Sequence, residues 1–417
     1  MTTLSPISSV NTLVIRPAEP STVGLAQTTS TAVVRPSSVV SLGNVTSDML
    51  ADTYFSQSDG LGVQATVEGG SLTDDELKAV GQLGSAFQSA IDGFTATPPK
   101  IDLGNLTRFD PRVLASVDLN AKVKTLDGQN QTLAFHADAQ RRTTRMSGPD
   151  GEVNVAVDLK NAAILGNTQQ QAKALKSYLA QFDRAQERGN AKADLMTMFK
   201  DAFSAMNSNY PQGISLPDAL TRNPTDQGLL TGLADFKASL KQASESSNPI
   251  RPSEIDRFAY SVSQKTRVSG SSALDRSVTQ DQQSSLSASY HKGLDGSKNP
   301  GLTRDENSQN YLYVQVEDNA SSSANLAYKD GLLTNASVSQ EASQSTRTQK
   351  YVLGKLVDET FVPKQASVQR DYLVLLEYAA TQSKKSKDAL QESTLKDALA
   401  NMHESVMLQE DPSALIR

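Results

Sequence analysis

Leu77, Val80, Leu83, Phe87, Ala90, Ile91 and Phe94 recur at spacings of three and four, which predicts one amphipathic helix. Thr73-Asp74-Asp75-Glu76 supplies a capping box at its start, and Pro98-Pro99 ends it because neither residue can donate to a helix. From Val113 the period changes to two. Ala115, Val117, Leu119, Ala121 and Val123 alternate with polar residues, Asp127-Gly128 turns the chain, and Leu133, Phe135, Ala137 and Ala139 return. Gly148-Pro149-Asp150-Gly151 turns it again into Val153, Val155, Val157 and Leu159, which predicts a three-stranded antiparallel meander.

A helical hairpin is predicted over residues 168–206. Leu175, Tyr178, Leu179, Phe182 and Ala185 form one stripe, Arg188-Gly189-Asn190 breaks it, and Leu195, Met198, Phe199, Ala202, Phe203 and Met206 form a denser one. Leu229, Leu233, Phe236 and Leu240 suggest a further amphipathic helix after Pro224. The second half is strand-like and polar, with alternation at Phe258, Tyr260 and Val262, at Leu286, Ala288 and Tyr290, at Leu312, Val314 and Val316, and at Ala324, Leu326 and Tyr328. So much Ser, Thr, Gln and Asn lies on both faces that burial is expected to be shallow unless a helix or partner covers one of them. Another strand is expected at residues 351–357. Val368, Tyr372, Leu375, Leu376 and Ala379, then Leu390 to Val406, predict helices at the end.

The fold class expected is therefore α+β, with antiparallel meanders packed against amphipathic helices. Its parts are a disordered Ser/Thr/Val/Pro-rich arm (1–70), an α+β domain (71–242), a linker (243–254), a polar antiparallel β region (255–362) and a C-terminal helical region (363–417). The β-rich stretches share Asp-Gly turns at 127–128, 150–151, 295–296 and 330–331, but that dipeptide is so common in hairpins that duplication does not follow.

Composition closes several chemistries. The chain has 417 residues and no Cys, which removes disulfides, thiolate metal sites and cysteine nucleophiles. Lys and Arg number 40 against 46 Asp and Glu, a net −6 that gives no global attraction to nucleic acid. No stretch approaches the ~18 apolar residues of a membrane-spanning helix. Residues 1–10 lack the basic and apolar regions of a secretory signal peptide, so export would need a signal-less route, and localisation stays open.

Candidate motifs meet bland competitors. Gly60-Leu61-Gly62-Val63-Gln64-Ala65 fits the G-x-G-x-x-A dinucleotide pattern, but no apolar strand precedes it and no helix opens there, so a flexible turn is expected. Ser289–Lys292 and Ser393–Lys396 have the spacing of a serine nucleophile and its lysine, yet Lys-Thr-Gly is absent and Ser289 lies in a predicted strand. His136, with Asp138, Arg141 and Arg142 near it, outlines a site on a sheet surface, and a solvated strand histidine is the simpler reading. His291 and His403 have no partner at metal-ligand spacing. Arg141-Arg142-Thr143-Thr144-Arg145 reads as a solvated, edge-protecting cluster.

No residue is thereby assigned a catalytic, cofactor-binding or metal-binding role. The expectation is a non-enzymatic structural or protein-interaction protein of bacterial type, with unidentified protein partners. Absence of Cys and Trp, with abundant Ser, Thr, Gln and Ala, resembles the composition of exported bacterial appendage and secretion-substrate proteins. The alternatives are a nicotinamide-dependent oxidoreductase using residues 60–65, or an intracellular scaffold or regulator.

Overall fold

The computed structural model describes residues 9–15, 52–56, 61–67, 74–96, 99–109, 116–124, 128–161, 164–210, 224–382 and 401–416. The chain divides into two compact units, residues 1–160 with 193–213, and residues 161–192 with 214–417. Both are rich in antiparallel strands, with a few helices.

In the first unit, β1 (Ser9–Ile15), β2 (Asp52–Ser56) and β3 (Leu61–Val67) form a small sheet in which β3 is central, parallel to β1 and antiparallel to β2. These strands fall inside the stretch expected as an arm, and the remainder of residues 1–70 lies outside the described residues. Helix α1 (Asp74–Thr95) buries Leu83, Phe87, Ala90, Ile91 and Phe94, the stripe that its spacing predicts. Beyond it the chain doubles back so closely that a Cβ on Gly93 would meet the Lys100 carbonyl oxygen at 1.9 Å.

Strands β4 (Ser116–Lys124), β5 (Asn130–Asp138), β6 (Arg141–Gly148) and β7 (Gly151–Asp158) follow as a continuous antiparallel meander. The expected meander had three strands; β6 is the addition. Its inward residues are Arg142, Thr144 and Met146, so two of three core positions are polar and hide the apolar alternation. Helix α2 (Thr168–Gly189) belongs to the second unit, whereas α3 (Ala193–Met206) lies on β6 and β7 and turns Phe199, Ala202, Phe203 and Met206 inward.

The second unit is a six-stranded antiparallel meander in chain order: β8 (Asp235–Gln242), β9 (Arg257–Gly270), β10 (Arg276–Gly293), β11 (Tyr311–Lys329), β12 (Leu332–Val352) and β13 (Lys355–Asp371). Three local expectations change here. The amphipathic helix after Pro224 is only the short α4 (Pro224–Leu229), because Phe236, Ala238 and Leu240 are inward residues of β8 at period two. The strand expected at 351–357 is cut by a turn at Leu353-Gly354, both at positive φ. Helix was expected from 363, yet β13 runs to Asp371 because its long ladder with β12 overrides local helical spacing, and α5 (Leu373–Gln382) starts after it. Residues 401–406 and Pro412–Leu415 are helical.

One face of this meander carries the core. Helix α2, held at its start by an Asn167–Gln170 capping box, packs on β10 with Tyr178, Phe182 and Ala185 buried. A Cβ on Gly189 would stand 2.6 Å from the Phe258 ring, so only glycine lets the helix end lie that close. A polar row, Gln264, Gln282, Ser322 and Gln340 on β9 to β12, crosses the same face. Gln264 is held by the Leu233 carbonyl, to which its Nε2 donates at 3.0 Å, and the other three meet the C-terminal segment. Gln282 Nε2 and the Ser322 hydroxyl donate to the Val406 carbonyl at 2.8 and 2.9 Å, and Gln340 Nε2 to that of Met407 at 2.8 Å. Leu408 N donates to Gln282 Oε1 at 3.1 Å, and Gln181 Nε2 to the Leu408 carbonyl at 2.8 Å.

Candidate functional site

The glycine pattern at 60–65 does not meet the geometry of a dinucleotide turn. Leu61 to Ala65 lie in β3, with Gly62 paired across to both β1 and β2, so the pattern is neither a flexible turn nor a strand-to-helix junction; Gly60 lies outside the described residues. Ser289 donates its hydroxyl to the Ile255 carbonyl at 2.6 Å, and Lys292, three places on, falls on the other face of β10. Ser393 and Lys396 lie outside the described residues. His403 is buried, and burial pulls its pKa down.

His136 does gather partners on the outward face of β4 and β5. Its Nδ1 lies 2.8 Å from Asp118 Oδ1, its Nε2 lies 3.0 Å from Asp138 Oδ2, and Arg141 Nε approaches that nitrogen at 3.3 Å. Burial tends to raise the Asp138 pKa, but the backbone N–H groups of Gln140 and Arg141 and the side chain of His136 hold it below the ordinary value. The expected solvated histidine is thus a half-buried link between two carboxylates, and among the described residues no hydroxyl is bonded to it. Arg142 departs from expectation altogether. It is 1% exposed and donates to the carbonyls of Thr107, Met206 and Asn209 at 3.2, 3.1 and 2.6 Å, and to that of Ser208. Arg141 and Arg145 remain outside.

A second ionisable cluster surrounds His291 on β10. The segment between β8 and β9, expected as a linker at 243–254, closes through a bridge between Glu245 and Asp256 and lays two carboxylates on the imidazole. Asp256 Oδ1 is 2.7 Å from Nδ1, and Glu254 Oε2 is 3.1 Å from Nε2. Tyr311 donates to the same Glu254 oxygen at 2.7 Å, Asn248 donates to the Tyr311 hydroxyl at 2.9 Å, and Arg251 lies 4.5 Å above the Tyr351 ring. Burial lowers the pKa of His291, but hydrogen bonds to Asp256 and Glu254 outweigh it and raise the value to about 9. At neutral pH the ring is an imidazolium with both N–H groups used. It can neither accept a proton nor attack, so it serves as a clamp. The sequence hides this because Glu254 and Asp256 stand more than thirty residues from His291.

Among the described residues no group of three or more His, Asp or Glu side chains is placed to hold a metal ion, and no helix is long and apolar enough to cross a membrane. The outward face of β9 to β12 has an open depression of about 430 Å³ lined by Ser261, Ser263, Gln283, Ser285, Asn319 and Glu341, among others. Its lining is mostly hydroxyl and amide with the single carboxylate of Glu341, without the convergent charges or apolar walls of a small-molecule site.

The surface that stands apart is β13. It ends the strand order, so among the described residues one side of its backbone has no neighbouring strand, and from 355 to 365 it is exposed on both faces. Leu356, Val357, Phe361 and Val362 are 47%, 55%, 63% and 51% exposed within that stretch. A long edge strand with exposed apolar side chains is a template for strand addition. Sequence reading stopped the strand at 357 and began a helix region at 363, so Phe361 and Val362 drew no attention. The signal was there: apolar pairs at 356–357 and 361–362 bracketed by Lys355, Pro363 and Lys364 follow a common pattern for guarded edges. Neither a family model, nor a curated protein, nor a solved structure matches the chain.

Proposed function

We propose that this is a non-enzymatic structural or protein-interaction protein, built on an α+β scaffold of antiparallel meanders and amphipathic helices, that engages its partner by strand addition at β13. The observation that carries this reading is the exposed 355–365 edge with its four apolar side chains. Backbone groups on the outer side of β13 would supply affinity, and the alternating side chains would supply specificity. The buried histidine clamp and the glutamine row support the same reading, since both consume polar groups in holding the scaffold together.

Lysine-directed cross-linking in the source cell tests it. Lys355 and Lys364 flank the apolar stretch, and inter-chain cross-links are expected at both and expected to disappear in a Val357→Lys, Phe361→Lys variant. Inter-chain cross-links that avoid both lysines, or that survive the double substitution unchanged, would refute it.

A further inference from the structure

Resting on the strand-addition reading, we infer that the occupant of the β13 edge is the β13 of a second copy of this chain, paired antiparallel about a two-fold axis with Phe361 opposite its own counterpart. In such a pair, residues directly opposite each other share a face of the sheet, so positions of equal parity must meet. That condition excludes registers centred between two residues and leaves those centred on one. With Phe361 on the axis, Asp358 of each copy lies opposite Lys364 of the other, giving two opposed charge pairs. Thr360 then meets Val362, and Leu356 meets Ala366.

Neighbouring registers lose this match. Placing Asp358, Glu359 or Lys364 on the axis sets like charges against each other. Placing Thr360 there opposes Asp358 to Val362 and Glu359 to Phe361. Placing Val362 there brings Lys364 against Thr360, and Pro363 there brings Phe361 against Gln365; neither forms the Asp358–Lys364 pairs. Phe361 also lies inside the 355–365 stretch that is exposed on both faces, one residue from its midpoint. Within one copy Glu359 is already engaged by Arg347, whereas among the described residues Asp358 and Lys364 have no side-chain partner, so both are available to the second copy.

Pro363 sets the strength. The β12–β13 ladder passes through Ser345–Pro363 without a register shift, as it does when a proline's missing N–H is turned to the outer edge. Facing Glu359 of the other copy, each proline removes one ladder bond. The result is an isologous, concentration-dependent dimer that stops at two copies, because pairing consumes the edge.

A chain without cysteine makes the register directly readable. Phe361→Cys, oxidised with diamide, is expected to form a disulfide-linked dimer, whereas Ser367→Cys, opposite Lys355, is expected to stay uncross-linked. Both sites are exposed, so neither change disturbs the core. In analytical ultracentrifugation Asp358→Lys or Lys364→Asp should each weaken dimerisation at least about tenfold, and the double exchange should restore it. A purified chain that is monomeric at every accessible concentration overturns self-pairing. So does a dimer that ignores the charge exchange, or one that cross-links through Ser367→Cys and not Phe361→Cys. If the purified chain is monomeric while Lys355 and Lys364 cross-link to a different protein in the cell, self-pairing falls and strand addition stands. If neither lysine cross-links to anything, both fall.

Discussion

At the scale of single residues, Arg142 does the most that its sequence neighbourhood conceals. The carbonyls it reaches belong to Thr107 and to Met206, Ser208 and Asn209 at and just beyond the end of α3, where the helix leaves acceptors unsatisfied and its dipole favours a cation. Burial lowers its pKa to about 10, so it stays charged at neutral pH, and Tyr210 lies against it with the guanidinium carbon 5.7 Å from the ring centroid. A planar fork with five donors can serve four carbonyls, which an ammonium with three donors cannot. Arg142→Lys is therefore expected to cost about 2–4 kcal/mol in urea unfolding. Arg141→Lys, one position away and exposed, should stay within about 0.5 kcal/mol. An equally small loss for Arg142→Lys would mean that the carbonyls find other donors. Period two placed Arg142 opposite Arg141 in the sequence, but its acceptors lie 35 to 67 residues away, beyond any local pattern.

Among the elements, periodicity was informative where one face is apolar and silent where both are polar. Helix α1, β4, β5 and β7 follow their spacing because Phe87, Leu119, Phe135 and Val155 have only one side to go. Strands β10 and β12 alternate Gln, Ser and Thr over most of their length, so only the 286–288 end of β10 was legible and β12 between 332 and 350 was not. What selects the face is the C-terminal segment, whose main-chain groups at 406–408 need the donors and acceptor of Gln282, Ser322 and Gln340. Gln282 also accepts from the Tyr178 hydroxyl at 2.8 Å, so it satisfies three groups at once. Gln282→Leu should cost about 2–3 kcal/mol, and amide exchange at Met407 and Leu408 should accelerate by at least about tenfold. Gln283→Leu, one place along and exposed, should do neither. Unchanged exchange at 407–408 in Gln282→Leu would show that the row does not hold the segment.

For the molecule as a whole, the two units should answer pH differently. The His291 clamp lies in the second, joining the 245–256 segment to β10 and β11. Its folded pKa of about 9 stands above the ordinary 6.5, so the protonated ring stabilises the fold. That contribution is complete below pH 6.5 and is lost as the pH rises through about 9. Allowing for partial solvent screening, it is on the order of 2 kcal/mol. Glu254, held below its ordinary pKa against the burial that would raise it, stays ionised across this window, so discharge of the imidazolium leaves its buried carboxylate with a weaker partner. Hydrogen exchange at about pH 6 and about pH 9.5, corrected for intrinsic rates, should show protection falling at 245–256 and at the paired ends of β10 and β11, while α1 and β4 to β7 keep theirs. His291→Gln should be weaker at the lower pH and should abolish the difference between the two. Protection lost equally in both units, or a pH response that persists in His291→Gln, would place the alkaline-sensitive group elsewhere. The segment expected to be a linker is thus held by several bonds to β10 and β11, of which the two to His291 depend on a proton.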